Sequence, residues 1–159
     1  IGISRNNALG LVQIRPYMPE DLKALQWVAL GSNVFNAMIP VYPGVDKMPE
    51  YLSKAYVKPT TENFYWVNRI IGALADAHFY ENQSNIERYQ LSVDRKLYEM
   101  IRKFDQEFQE KEPEDKKAFF EAANQEISDF IQEKTTELLD KVLFTSSCLM
   151  RNGFSRSDA

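Results

Sequence analysis

Leu9-Gly10-Leu11-Val12-Gln13-Ile14-Arg15 sets the reading of the front third of this chain. The run is short, carries the β-branched Val12 and Ile14, and stops at Pro16, so it reads as a strand. Outward from it, Pro16 to Leu25 is a connector, with a helical turn expected at Pro19-Glu20-Asp21-Leu22. A second mostly apolar run, Leu25 to Leu30, closes at the turn cluster Gly31-Ser32-Asn33. A third, Phe35 to Val41, contains Pro40, whose missing N–H confines the strand to an edge or ends it. Connections this short favour antiparallel pairing. Three short strands cannot close on themselves, so at least one edge is expected to stay open. An open edge is a template for association, and a homo-oligomer is expected on that ground.

The rest of the chain reads as helices. After a loop from Tyr42 to Pro59, Thr60 or Thr61 can cap a helix reaching about Tyr80. Phe64, Val67, Ile71, Leu74 and His78 form one apolar stripe at helical spacing, and Trp66, Ile70, Ala73, Ala77 and Tyr80 form a second. Asn68, Arg69, Gly72 and Asp76 leave only a narrow polar strip. A helix apolar on two faces belongs between layers, here between the sheet and the other helices, and should be the most buried of them. Ser84 or Asn85 can cap the next helix, along which Ile86, Val93, Leu97, Ile101, Phe104 and Phe108 recur, with Glu99 and Lys103 placed as an i,i+4 pair. Beyond the polar turn of residues 109–115, Phe120, Ala123, Ile127, Ile131, Leu138 and Val142 mark a last helix, expected to form an αα-hairpin with its predecessor. The fold class expected is therefore α+β. A short antiparallel sheet of about three strands in residues 9–41 precedes three helices at about 61–80, 85–110 and 115–147. Residues 1–159 read as one unit, with a sheet part in 1–45 and a helical part in 60–150.

Composition excludes several classes of function. The chain has 159 residues, 44% hydrophobic and 26% charged, which is too apolar for disorder and enough for one core. A net charge of −4 argues against a general binder of nucleic acid or acidic membranes. One Cys removes any disulfide framework, and one His removes the two-histidine zinc motifs, so neither metal nor cofactor is expected. The stretch from Ala24 to Val45 is uncharged except at its flanks, but its Asn, Pro and Gly residues disqualify it as a membrane span. With no secretory leader visible and a lone thiol, a soluble cytoplasmic protein is expected. The missing initiating Met points to a piece of a longer chain.

The candidate reactive groups favour structural roles. Cys148 would need a base to act as a nucleophile, and Ser146-Ser147-Cys148-Leu149-Met150 offers none locally; free Cys is also commonly buried. His78 shares a stripe with Leu74 and Ile71 and reads as a hydrogen-bonded core histidine. The carboxylates lie beside Lys and Arg on helix faces, with no pair isolated in an apolar setting for acid–base work. Tyr17, Trp27, Tyr42 and Trp66 read as core and loop-packing residues. Arg5, Asn6 and Arg15 are the polar groups nearest the strand ends, where clefts are often lined, and Arg5 is the substrate-binding candidate.

Ile1-Gly2-Ile3-Ser4-Arg5-Asn6, followed by Val12-Gln13-Ile14-Arg15, resembles the late segment of the bacterial dipeptidase A family of N-terminal-nucleophile hydrolases. Four further blocks carry the likeness: residues 26–31 (QWVALG), 36–42 (NAMIPVY), 64–68 (FYWVN) and 122–125 (AANQ). Their order and spacing hold along nearly the whole chain. The sequence departs from the family at Gly10, where a His is usual, so no role of that His carries over. The resemblance implies a cysteine peptidase that cleaves dipeptides, built on an αββα layered fold. It further implies a Cys nucleophile at or near the N-terminus of the whole enzyme, with its α-amino group as base. Ile1 cannot supply that nucleophile, and Cys148 falls in the family's extreme C-terminal region, so no catalytic residue is assigned here. The expectation is the C-terminal portion of a dipeptidase, inactive alone, with the rest of the polypeptide and dipeptide substrates as its partners. The alternative is a non-catalytic helical-hairpin interaction module.

Overall fold

The apolar runs of the front third pair as their short connectors require. A computed structural model describes residues 6–150, in which β1 (Ala8–Ile14), β2 (Ala24–Leu30) and β3 (Ile39–Val41) form one antiparallel sheet in the order β1-β2-β3. Its register runs from Ala8 opposite Leu30 to Ile14 opposite Ala24, and from Gln26 opposite Val41 to Val28 opposite Ile39. Only the end of the third run pairs. Asn33–Phe35 is instead a 3-10 turn, and Pro40 sits on an edge strand, where its missing donor is tolerated. The turn expected after Pro19 is a 3-10 helix at Glu20–Leu22 that buries Leu22.

The helical part differs from expectation in three places. A four-residue helix, α1 (Glu50–Ser53), interrupts the loop after β3 and inserts Tyr51 and Leu52 into the core. Helix α2 (Phe64–Ala77) is capped by Asn63, whose Oδ1 accepts from the Trp66 N–H at 2.9 Å; Thr60 Oγ1 accepts from Glu62 N–H instead, at 3.1 Å. It ends short of Tyr80 because the backbone breaks at His78 (φ −138°, ψ 54°), and α3 (Phe79–Lys111) begins at the next residue with no cap at Ser84 or Asn85. Asn82 secures the break, its side-chain amide donating to the His78 carbonyl at 3.1 Å. His78 is thus a half-buried hinge residue, not a core histidine.

α3 and α4 (Lys116–Cys148) each run 33 residues, about 50 Å at the helical rise. Between them Glu112 takes a left-handed φ of 43° before Pro113, and Asp115 caps α4 by accepting from Ala118 N–H at 2.9 Å. α4 packs along both α3 and α2, so the expected αα-hairpin forms but α4, not α2, is the central helix. Glu99 meets Lys96, while Lys103 reaches across the hairpin to Glu126 at 2.7 Å.

The second stripe proposed for α2 is not a buried face: Ala73, Ala77 and Tyr80 are exposed, whereas Asn68 and Gly72 of the supposed polar strip are buried. Close approach explains this. A Cβ on Gly72 would lie 2.4 Å from Ser32 Oγ and 2.6 Å from Ser32 Cβ, so the turn after β2 rests directly on the helix backbone. Gly31, at φ +90°, makes the matching approach from the loop, where a Cβ would lie 2.9 Å from the Tyr65 carbonyl oxygen. With six of its 14 residues buried, α2 still buries the largest share of any long helix.

Gly72→Ala should therefore cost about 1–3 kcal/mol by overpacking. Gly10→Ala, on an open strand position with nothing within 4 Å, should be neutral or stabilising by up to about 1 kcal/mol. Chemical denaturation of the two variants measures both. Equal small effects would show that the turn is not seated on α2.

Candidate functional site

The odd-numbered residues of β1 and β2 face α3, and two adjoining cavities lie in the gap between them. One, of about 540 Å³, is floored by Arg15 and Asp105 and walled by Tyr17, Met18, Leu25 and Arg102. The other, of about 590 Å³, is lined by Leu11, Trp27, Met38, Gln90 and Asp94. Gln13 and Tyr98 border both and make them one groove. Trp27 joins the walls: its Nε1 donates to Gln13 Oε1 at 2.9 Å, and its ring lies 5.5 Å from that of Tyr98. Partial burial raises the Asp94 carboxyl from its ordinary value.

The groove floor is an ion pair taken out of water. Arg15 and Asp105 are 4% and 8% exposed. Arg15 donates through Nη1 to Asp105 Oδ2, and through Nη2 to Asp105 Oδ1 at 3.2 Å and to the Leu22 carbonyl at 2.5 Å. The Tyr42 hydroxyl donates to Asp105 Oδ1 at 2.9 Å, with the Ile101 carbonyl 3.3 Å away. Gln109 Nε2 donates to the Asp105 carbonyl at 3.0 Å. Burial pushes the Tyr42 phenol well above its ordinary value; Asp105 adds to this and Arg15 opposes it. Beyond Tyr42, Asn124 of α4 acts as a strand mimic. Its Oδ1 accepts from Tyr42 N–H at 2.8 Å and its Nδ2 donates to Tyr42 O at 3.0 Å. Tyr51 Oη lies 2.5 Å from Thr135 Oγ1, and its phenol is pushed up to about 12 by burial, against the pull of that hydrogen bond.

Of the residues singled out in the sequence, Arg5 lies outside the described residues, and Asn6 is exposed. Arg15 does line a cleft, as the floor of the groove. Trp27 and Tyr42 are core residues, but Tyr17 is exposed, and Trp66 is half-buried with its Nε1 donating to the Tyr56 carbonyl at 2.6 Å. Cys148 is exposed at the end of α4, not buried. Asp105 was missed, although its place among Ile101, Phe104 and Phe108 puts a carboxylate within an apolar stripe. Among the described residues the groove is lined by no Cys, Ser, Thr or His, so it offers recognition and packing but no thiol or alcohol of the Cys, Ser or Thr type for acyl transfer.

Comparison with known proteins gives this arrangement its class. Residues 1–92 match the family model Peptidase family C69, and the chain belongs to that family. It is 38% identical over 158 residues to a protein named Probable dipeptidase A from Streptococcus pyogenes serotype M18, covering 99% of this chain and 33% of that protein. A Dipeptidase of Bifidobacterium longum is 35% identical over 196 residues, covering 99% of this chain and 37% of the relative. Dipeptidase A of Lactobacillus helveticus is 31% identical over 153 residues, 94% of this chain and 31% of its own length. The chain thus spans about a third of the length of the curated relatives it matches. No helix among the described residues is long and apolar enough to cross a membrane.

Two measurements test the buried network. Asp105→Ala strands the Arg15 charge and should cost about 3–5 kcal/mol, whereas Arg15→Met combined with Asp105→Leu should cost less than that single change. A double-mutant cycle of Arg15→Met, Asp105→Leu and the two combined, read by denaturation, gives the coupling; additive losses would show that the pair does not act as a unit. Tyr42 and Tyr51 are neutral in both folded and unfolded chains below pH 10, so their contribution is intact there. Above it the unfolded chain releases these protons first, and stability should fall by up to about 1.4 kcal/mol per pH unit for each tyrosine. For Tyr51 the loss runs from pH 10 to about 12. Tyr51→Phe should flatten the fall in that window, read by denaturation at stepped pH.

Proposed function

We propose that these residues are part of a cysteine dipeptidase, in which they supply structure to one side of the fold while the nucleophile lies on chain beyond them. The observation that carries this reading is the alignment with proteins named as dipeptidases. It holds over 99% of this chain yet takes in only about a third of the S. pyogenes protein. The chemistry of the described residues agrees. Cys148 is exposed at a helix end, and among the described residues no hydrogen bond joins it to His78 and no Cys, Ser or Thr lines the groove between β1 and α3. In the proposed reaction the upstream Cys gives its thiol proton to its own α-amino group and the thiolate attacks the dipeptide carbonyl. The peptide C–N bond breaks, the C-terminal amino acid leaves with that proton on its nitrogen, and water hydrolyses the remaining thioester to free the N-terminal amino acid and restore the thiol. Residues that only position and pack cannot form that intermediate. Membership of a peptidase family weighs against the helical-hairpin interaction module. Localisation in the cytoplasm belongs to the same proposal.

The test is release of free amino acids from a panel of dipeptides. The 159-residue chain alone should release none, and Cys148→Ser should leave turnover by the whole protein within about twofold, because a residue outside the covalent step does not set the barrier. Replacing the upstream cysteine should abolish turnover. Thiol-dependent hydrolysis by the 159-residue chain that disappears with Cys148→Ser would overturn the assignment.

A further inference from the structure

The two chambers of the groove between β1 and α3 carry opposite chemistry. The chamber of about 590 Å³ is lined by Asp94 and, among the described residues, by no Lys or Arg. The Asp94 carboxylate has no ion pair or hydrogen bond among the described residues, and its partial burial makes a cation brought against it favourable. Asn36, only 4% exposed, lines the same chamber. Its Nδ2 donates to the Leu30 carbonyl at 2.6 Å, while its Oδ1 is a buried acceptor with no partner among the described residues. Gln90, one turn before Asp94 on α3, donates to the Asn36 carbonyl at 2.9 Å and so holds Asn36 and Asp94 at the same end of the chamber. Trp27 and Tyr98, with ring centroids 5.5 Å apart, and the apolar Leu11 and Met38 supply other walls. An unpaired carboxylate, a spare amide oxygen and two π faces suit a primary ammonium carried on an apolar molecule. A divalent metal ion would want several more oxygen ligands.

The adjoining chamber offers the opposite charge. Arg15 is satisfied there by Asp105, and Glu110 accepts from Gln106 Nε2 at 2.7 Å. Arg102 lines the same chamber, is exposed, and has neither ion pair nor hydrogen bond among the described residues. It follows Asp94 on α3 by eight residues, about 12 Å along the helix axis. Two residues of extended peptide span about 7 Å. A charge-assisted hydrogen bond of about 2.8 Å at either end brings that reach to about 12 Å as well. The geometry points to a zwitterionic dipeptide lying along the groove, its α-ammonium on Asp94 and Asn36 Oδ1, its carboxylate on Arg102, and its first side chain, an apolar one, against Trp27 and Tyr98. The assignment rests on the reading of the whole protein as a dipeptidase and gives that reading its substrate-binding residues. Asp94, Asn36 and Arg102 hold the two ends of the substrate and take no part in the covalent step.

The experiment is calorimetric titration of the protein expressed from its whole reading frame. The probe is the ketomethylene isostere of leucyl-leucine, which keeps both charged ends and has no peptide C–N bond to break. Asp94→Asn should weaken its binding about 10- to 100-fold, yet leave binding of the N-acetylated isostere within about twofold of the unaltered protein. Arg102→Gln should weaken the free isostere by a similar factor and spare its C-terminal amide. Both residues are exposed and unpartnered among the described residues, so neither change disturbs the core. Equal losses for capped and uncapped forms, the mark of a merely structural role, overturn the assignment. So does unchanged binding of the free isostere in Asp94→Asn, or no binding to the unaltered protein. Leucinamide bound as tightly as the isostere overturns it in favour of a simple amine site. Hydrolysis of leucyl-leucine by the same samples keeps the two readings apart. Turnover with an unchanged KM in Asp94→Asn sinks the groove assignment alone, whereas the expected binding pattern without turnover leaves the groove standing and sinks the hydrolytic reading.

Discussion

The Arg15–Asp105–Tyr42 cluster is the constraint on which the arrangement of layers depends. Arg15 closes β1 and holds the turn carrying Leu22, Asp105 belongs to α3, and Tyr42 follows β3 directly. One set of hydrogen bonds therefore joins segments 90 residues apart in sequence. Asn124 extends the tie to α4 by taking both backbone groups of Tyr42. Such a cluster gains little net energy over an apolar replacement, because desolvating two charges offsets most of their attraction. What it adds is register. Any sliding of the sheet over α3 would leave a buried charge without its partner.

Around that tie the packing divides by chemistry. The seam between α3 and α4 is aliphatic and aromatic, with Leu97, Ile127, Ile131 and Leu138 fully enclosed and Phe108 stacked on Phe120 at 4.9 Å. The contact of α2 with the turn after β2 depends instead on the absence of side chains at Gly31 and Gly72. The sheet is the least finished part. β3 is three residues long and buried, while β1 is longer and, among the described residues, unpaired on its outer edge. A domain core buried this well beside an uncharged open strand fits a chain that spans a third of its relatives' length.

Much of this was legible because short-range physics governs it. The 3.6-residue recurrence from Ile86 to Phe108 and from Phe120 to Val142 shows two long helices wherever they pack. β-branched residues before Pro16, and Pro40 in the third run, mark short strands with an edge. The readings that failed turned on partners distant in sequence. Gly72 looked like a surface glycine until Ser32 was seen to rest on it, and Thr60 gave way to Asn63 as the cap of α2. The continuous pattern through His78 hid a break held by Asn82, whose side chain also donates to Ser146 of α4 at 3.4 Å.

The candidate groove was less legible than the fold. Arg15 stood out as a polar group at a strand end, but its partner Asp105 was read among the solvated carboxylates of a charged helix. Sequence by itself determined the element types, their order, the antiparallel sheet and the likeness to a peptidase family, since periodicity, turn chemistry and residue identity are local properties. Only the tertiary structure decided that α4 and not α2 is central, that Asp105 is buried, and that among the described residues no strand pairs with the outer edge of β1. Those outcomes depend on which surfaces meet, and a helix or strand carries the same local pattern whichever neighbour covers it.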